Sequence, residues 1–188
     1  LNKLNQNFQP TDGYRSTFSQ SLPIIADDQS ISNSYEYANY TKFKNETIFS
    51  FIFFVKSINN FDDDVRISKR IFIPSRKLRG FVAGKIGPKD NNDYIGGNYG
   101  SAMNVAATLP NFMRDLENID FSLFLDTANV WGVDYNSSLD SNRIRSSTGL
   151  AIDWFTPIGP LSFSFASPIT KSSTDETETF RFRIGTTF

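Results

Sequence analysis

Apolar side chains in this sequence recur at every second position, in stretches too short to be membrane-spanning helices. Phe121, Leu123 and Leu125 oppose Asp120, Ser122 and Asp126, and Phe124 interrupts the polar side. Leu150, Ile152 and Trp154 oppose Gly149, Ala151 and Asp153. Leu161, Phe163 and Phe165 oppose Ser162, Ser164 and Ala166, and Phe180, Phe182 and Ile184 alternate with Thr179, Arg181, Arg183 and Gly185. A period of two places one face of a strand in an apolar medium and the other in a polar one. The longest mainly apolar run, IFSFIFFV at 48–55, is far short of the roughly 20 residues a helix needs to cross a bilayer. A spanning strand needs only about 9–11 residues, so that route stays open.

Alternation reconciles two features of the composition. The chain carries 19 Phe among 188 residues, yet its mean hydropathy is -0.33. A net charge of -1 gives no electrostatic footprint for nucleic acid. With no Cys and no His, disulfides, thiolate sites, the commonest metal ligand and the commonest general base are all absent. Neither an enzyme nor a cofactor or metal site is therefore expected; a hydrolase using carboxylates and Ser is the remaining enzymatic alternative. The opening LNKLNQNFQPTDG has no apolar segment of the signal-peptide kind.

Turn signals divide the chain into eight expected strands, at about 14–22, 34–43, 46–58, 98–109, 119–130, 143–155, 161–169 and the closing segment. Residues 59–95 read mostly as one long loop. Connections alternate between long polar loops and shorter turns, so one end of an up-and-down sheet carries most of the loop mass, the habit of outer-membrane barrels. A soluble sandwich or lipocalin-like barrel alternates in the same way. Loop asymmetry, apolar faces rich in Phe, Leu and Trp, and the terminal aromatic favour an all-β, antiparallel, up-and-down transmembrane barrel. Trp131, Trp154, Tyr99 and Tyr14 fall near strand ends, where membrane interfaces favour such rings.

Several motifs are more specific. TGLAIDWFTPIGPLSFSFASPI followed by FRFRIGTTF resembles the C-terminal end of BamA-type outer-membrane insertases. RKLRGF (76–81), with IGP at 86–88, resembles their R-G-F loop; GGNY (96–99), FLDTANVW (124–131) and PTDGYR (10–15) resemble other segments in the family's order. The resemblance implies a sixteen-strand barrel preceded by POTRA domains. This chain would then supply the C-terminal half, 1–188, with an inward-folding loop at 59–95 and no POTRA module; a closed eight-strand barrel is the alternative.

The resemblance also implies roles. The loop motif is Arg79, Gly80 and Phe81, and the arginine would pair with an inward carboxylate, Asp126. A second acidic partner, expected on the strand after GGNY, is missing, with Ala106 near that place. Ile71, Phe72 or Ile73 would cover the inner face of the third strand near Ile52 or Phe54. Phe180, Phe182, Ile184 and Phe188 would form the lipid face of a C-terminal β-signal, and Gly185 falls where the family's last strand kinks. The implied work is folding and insertion of barrel proteins in the bacterial outer membrane, through a weak lateral seam at the last strand. Implied partners are unfolded outer-membrane clients, lipids and accessory assembly lipoproteins. A secretion translocator, a TamA-like factor and a passive small barrel are the alternatives.

Overall fold

The structure, a computed structural model, describes residues 1–23, 29–110, 118–140, 142–157 and 159–185. Its strands are β1 (Gly13–Ser21), β2 (Ser30–Lys42), β3 (Ile48–Asn60), β4 (Lys89–Asp90), β5 (Asp93–Tyr94), β6 (Tyr99–Thr108), β7 (Ile119–Trp131), β8 (Arg145–Thr156), β9 (Gly159–Thr170) and β10 (Phe180–Ile184). Eight form one antiparallel sheet in the order β1-β2-β3-β6-β7-β8-β9-β10, while β4 and β5 make a small separate hairpin. Each large strand pairs with the next large strand in sequence, as an up-and-down wall requires. The wall does not close on itself: β1 and β10 are its two edges.

Register carries the alternation from strand to strand. One face holds the rows Leu123–Leu150–Phe165–Phe180, Phe121–Ile152–Phe163–Phe182 and Ile119–Trp154–Leu161–Ile184. Neighbouring rings touch along these rows, with centroids 5.0 Å apart for both Phe165–Phe180 and Phe163–Phe182. The opposite face holds Asn104–Asp126–Ser147 and Phe54–Ala102–Ala128–Arg145. The arrangement inverts that of a water-soluble protein. Leu123, Trp154, Phe165, Phe180 and Phe182 are exposed, whereas Asn104, Asp126, Arg145 and Ser147 are buried. A large contiguous exposed apolar face calls for an apolar medium. The long strands reach 12–13 residues, sufficient to cross a bilayer when tilted. Tyr99 stacks on Trp131 at one end of the wall, and Trp154 lies at the other.

The buried polar face is covered by the segment between β3 and β6. Ile73, Leu78, Phe81 and Ile86 from that segment pack on Ala102, Ala128 and Val130 of the wall, with Phe54 against the cluster. Small wall residues leave space for large loop residues, and this interlocking is the main apolar core. The three hydrophobic residues ahead of the R-G-F motif divide. Ile73 belongs to the cluster that Phe54 touches, whereas Ile71 packs with Ile58, higher on β3, and with Val65 of the loop itself, and Phe72 is exposed. The loop climbs across the strands instead of lying along one of them, so Ile71 and Ile73 meet different levels. The segment is also less irregular than expected, since Ile71 and Gly97 form a bridge with hydrogen bonds in both directions.

Candidate functional site

Arg79 reaches the wall at Asp126, midway along β7. Its Nε donates to Asp126 Oδ2 at 2.7 Å, its Nη2 to Oδ1 at 2.7 Å, and its backbone N–H to Oδ2 at 3.1 Å. This two-pronged contact matches a planar guanidinium to a planar carboxylate. The remaining capacity of Asp126 is taken by Asn104 Nδ2, at 2.9 Å, which also donates to the Lys77 carbonyl. Asp126 has 0% exposure, so these donors stand in for water around its oxygens. The guanidinium carbon lies 3.4 Å from the centroid of the Phe124 ring. Phe124, the interruption in the polar parity of β7, is thus a platform under the arginine, and Gly149 opposite it in register leaves room for the ring.

Gly80 follows with φ +85°, in the left-handed region that favours glycine. A Cβ there would also stand 3.1 Å from the Ala166 Cβ and 3.2 Å from the Ser147 Cβ, so conformation and space both select glycine. Ser147 Oγ donates to the Arg79 carbonyl at 2.5 Å, holding the turn to β8. Phe81 is buried in the loop's apolar cluster.

Further contacts, not named from the sequence, hold the loop. Lys77 binds Glu36 of β2, which also accepts from Arg15 of β1, and the Lys77 ammonium lies 4.8 Å from the Phe54 ring centroid. Asn104, not Ala106, is the β6 residue that meets the arginine's carboxylate. The register shows why: Asn104 stands directly opposite Asp126, and Ala106 opposite Phe124. Arg145 and Asp175 form a second enclosed pair, with Nε–Oδ2 at 3.0 Å and Nη2–Oδ1 at 3.1 Å, fastening the chain ahead of β10 to the start of β8. The basic run RKLR and the lone Glu of β2 were the available signals for Lys77 and Glu36. Nothing in the local sequence singles out Arg145.

Beyond β7, Asp134 gathers the base of the long loop. It accepts from Val65 N–H at 2.7 Å and Asn98 Nδ2 at 2.8 Å, and it binds Arg70. Burial alone would raise this carboxyl, but the Asn98 and Val65 hydrogen bonds and the Arg70 charge outweigh it and hold the pKa below the ordinary aspartate value.

The closing strand differs from the rest. Phe180, Phe182 and Ile184 project outward with 50%, 45% and 70% exposure, alternating with the half-buried Arg181 and Arg183. The β9–β10 ladder runs from Phe180↔Phe165 to Ile184↔Leu161. Gly185 then adopts φ +118°, a conformation that L side chains rarely reach, and its N–H donates to the Pro160 carbonyl at 3.0 Å. Phe188, the last residue assigned to the β-signal, lies outside the described residues.

The Omp85 superfamily domain matches residues 1–188. The chain belongs to the Omp85 superfamily. Within that superfamily it is similar to the outer membrane protein assembly factor BamA of Neisseria meningitidis serogroup B, at 33% identity over 59% of this chain and 17% of that protein. BamA of Neorickettsia risticii is 26% identical over 100% of this chain and 26% of its own length. The crystal structure of BamA from Haemophilus ducreyi lacking POTRA domains 1–3 superimposes with a TM-score of 0.84 and 30% identity, covering 96% of this chain and 40% of that one. The chain therefore spans 17% and 26% of the length of these two curated relatives. The eight-stranded wall of this Omp85 chain corresponds to part of a BamA barrel.

Proposed function

We propose that residues 1–188 are the C-terminal part of an outer-membrane barrel, and that the barrel folds and inserts other β-barrel proteins in the bacterial outer membrane without enzymatic chemistry. In this reading POTRA domains and the earlier strands belong to the rest of the protein. Arg79, Gly80 and Phe81 seat the loop of 59–95 in the lumen, with Asp126 as the arginine's wall partner. Phe180, Phe182, Ile184, Gly185 and Phe188 form the lipid-facing signal and the seam.

One observation carries the seam. The ladder between β9 and β10 begins only at Phe165, so Ser167–Thr170 of β9 has no β10 partner, although β9 continues to Thr170. Pro168 in that stretch lacks an N–H to offer. A closed barrel has no open edge. A closing strand held over part of its neighbour's length separates more readily, and the backbone groups freed can template an incoming strand by β-augmentation. Client strands, membrane lipids and accessory lipoproteins are the partners this reading requires.

The test uses the full-length protein in phosphatidylethanolamine–phosphatidylglycerol vesicles, with an unfolded outer-membrane barrel as client. Faster client folding than in protein-free vesicles is expected. Equal rates, together with steady single-channel conductance, would identify a passive pore instead.

A further inference from the structure

The stretch that feeds the closing strand pairs with the loop, not with the wall. Glu178 N–H donates to the Gly80 carbonyl at 3.1 Å, Val82 N–H to the Glu176 carbonyl at 3.0 Å, and Glu176 N–H to the Lys85 carbonyl at 3.1 Å. Phe81 and Thr177 form the bridge between them. Only at Thr179, whose carbonyl accepts from Ala166 N–H at 2.9 Å, does the chain return to β9. The R-G-F segment and residues 176–178 thus make a short antiparallel ribbon of their own.

Arg181 bolts this ribbon to β10. Its Nη1 donates to the Ser75 carbonyl at 2.6 Å and its Nη2 to the Phe81 carbonyl at 2.5 Å, with Glu178 against its Nε. The two carbonyls lie on either side of Arg79 in the chain, so a single guanidinium spans the whole turn that presents the motif. A planar fork with several fixed donors can hold two separate carbonyls and a carboxylate together; an ammonium has no such fixed geometry. Seen from the wall, Asp126 grips the loop at Arg79. Seen from the seam, the loop grips β10 at Arg181.

We propose that Arg181 is a positioning residue that latches the closing strand to the R-G-F loop. While Arg79 is seated on Asp126, the upper end of β10 is fixed and lateral opening is confined to the stretch from Arg183 onward. Unseating the loop releases the strand's upper end as well, so loop position controls how far the seam opens. The proposal rests on the reading of β10 as a lateral seam.

The experiment is hydrogen exchange by mass spectrometry on the full-length protein in phosphatidylethanolamine–phosphatidylglycerol vesicles, for wild type, Arg181→Met, Arg181→Lys and Asp126→Asn. Arg181→Met is expected to raise exchange about tenfold or more in 176–182 and in 80–85 together, because one cooperative unit opens. Asp126→Asn, on the far side of the loop, is expected to raise the same two segments, and Arg181→Lys to restore part of the protection. A rise confined to β10, or none, overturns the latch. Should Arg181→Met fail to fold, the wild type decides: a common exchange rate for the Val82, Glu176 and Glu178 amides supports the latch, and rates about tenfold or more apart overturn it. Client folding measured in the same vesicles separates the two readings. Joint exchange without accelerated client folding sinks the insertion function and leaves the latch standing.

Discussion

The two edges of the sheet are built differently. β1 is laddered to β2 over its whole length, from Gly13↔Tyr40 to Ser21↔Ser32. Its outer side is partly covered as well, since Lys3 N–H donates to the Tyr14 carbonyl and Ser16 N–H to the Leu1 carbonyl, each at 2.8 Å. Among the described residues β10 has no such cover, and its upper support comes from the loop through Arg181 and residues 176–178. One edge is held by its neighbours in the wall, the other by a strut that crosses the interior. Perturbing the interior should therefore be felt at the β10 edge and spare the β1 edge.

The largest expected effect follows from Asp126→Asn, which removes a buried carboxylate charge and leaves the half-buried Arg79 guanidinium without its counter-charge. Breaking a buried pair from one side typically costs about 3–5 kcal/mol. Urea unfolding of the detergent-solubilised full-length protein should show a loss of that order. Exchange should rise near β10 and remain unchanged in β1; equal loosening of both edges would erase the contrast drawn above. Charge reversal sharpens it: Arg79→Asp should fail, and Asp126→Arg added to it should recover part of the stability.

Glu36→Gln is the reciprocal perturbation, on the β1 side of the strut. It leaves the buried Lys77 ammonium with a neutral partner, at a cost of about 1–3 kcal/mol. The loop stays tied at Asp126, so protease cleavage within 61–77 should increase while β10 keeps its protection. Matching loss at β10 would mean that Lys77, and not Arg79, carries the seat.

Gly185→Ala probes the free end of the seam. No described residue lies within 4 Å of the added Cβ, so the expected penalty is conformational, about 1 kcal/mol. The change should show as faster exchange at the end of β10, with the loop unaffected.

Acid acts on the loop's base. The depressed Asp134 pKa stabilises the folded state at pH values above that of an unfolded aspartate, about 3.9, and this contribution is lost as pH falls through the lower folded value. Segments 65–70 and 132–135 should therefore become more exchange-labile below about pH 4, and Asp134→Asn should remove that dependence. This is the smallest of the expected effects, because Asp134 is partly exposed.

Strands and faces were legible in the sequence because period-two alternation is a local signal. The eight expected strands all correspond to strands of the sheet, with ends shifted by a few residues. Arg79 and Asp126 were legible through short motifs, and the two side chains are in contact. What lies around them depends on register, which no single strand reveals. The missing second acidic partner was placed near Ala106, and Asn104, two residues away on the same face, is singled out only once the β6–β7 pairing is known. Phe124 read as an error in the pattern because its partner, a guanidinium, comes from a loop 45 residues earlier. The contacts of Arg181 were not legible, since its acceptors are backbone carbonyls, which leave no trace in residue type.

The enclosed position of Asp126 has a bearing on how such a protein is made. A carboxylate that water cannot reach in the finished molecule has to find its arginine while water still can. Docking of the segment from 61 to 98 and the drying of this carboxylate are therefore one event in the folding of this chain.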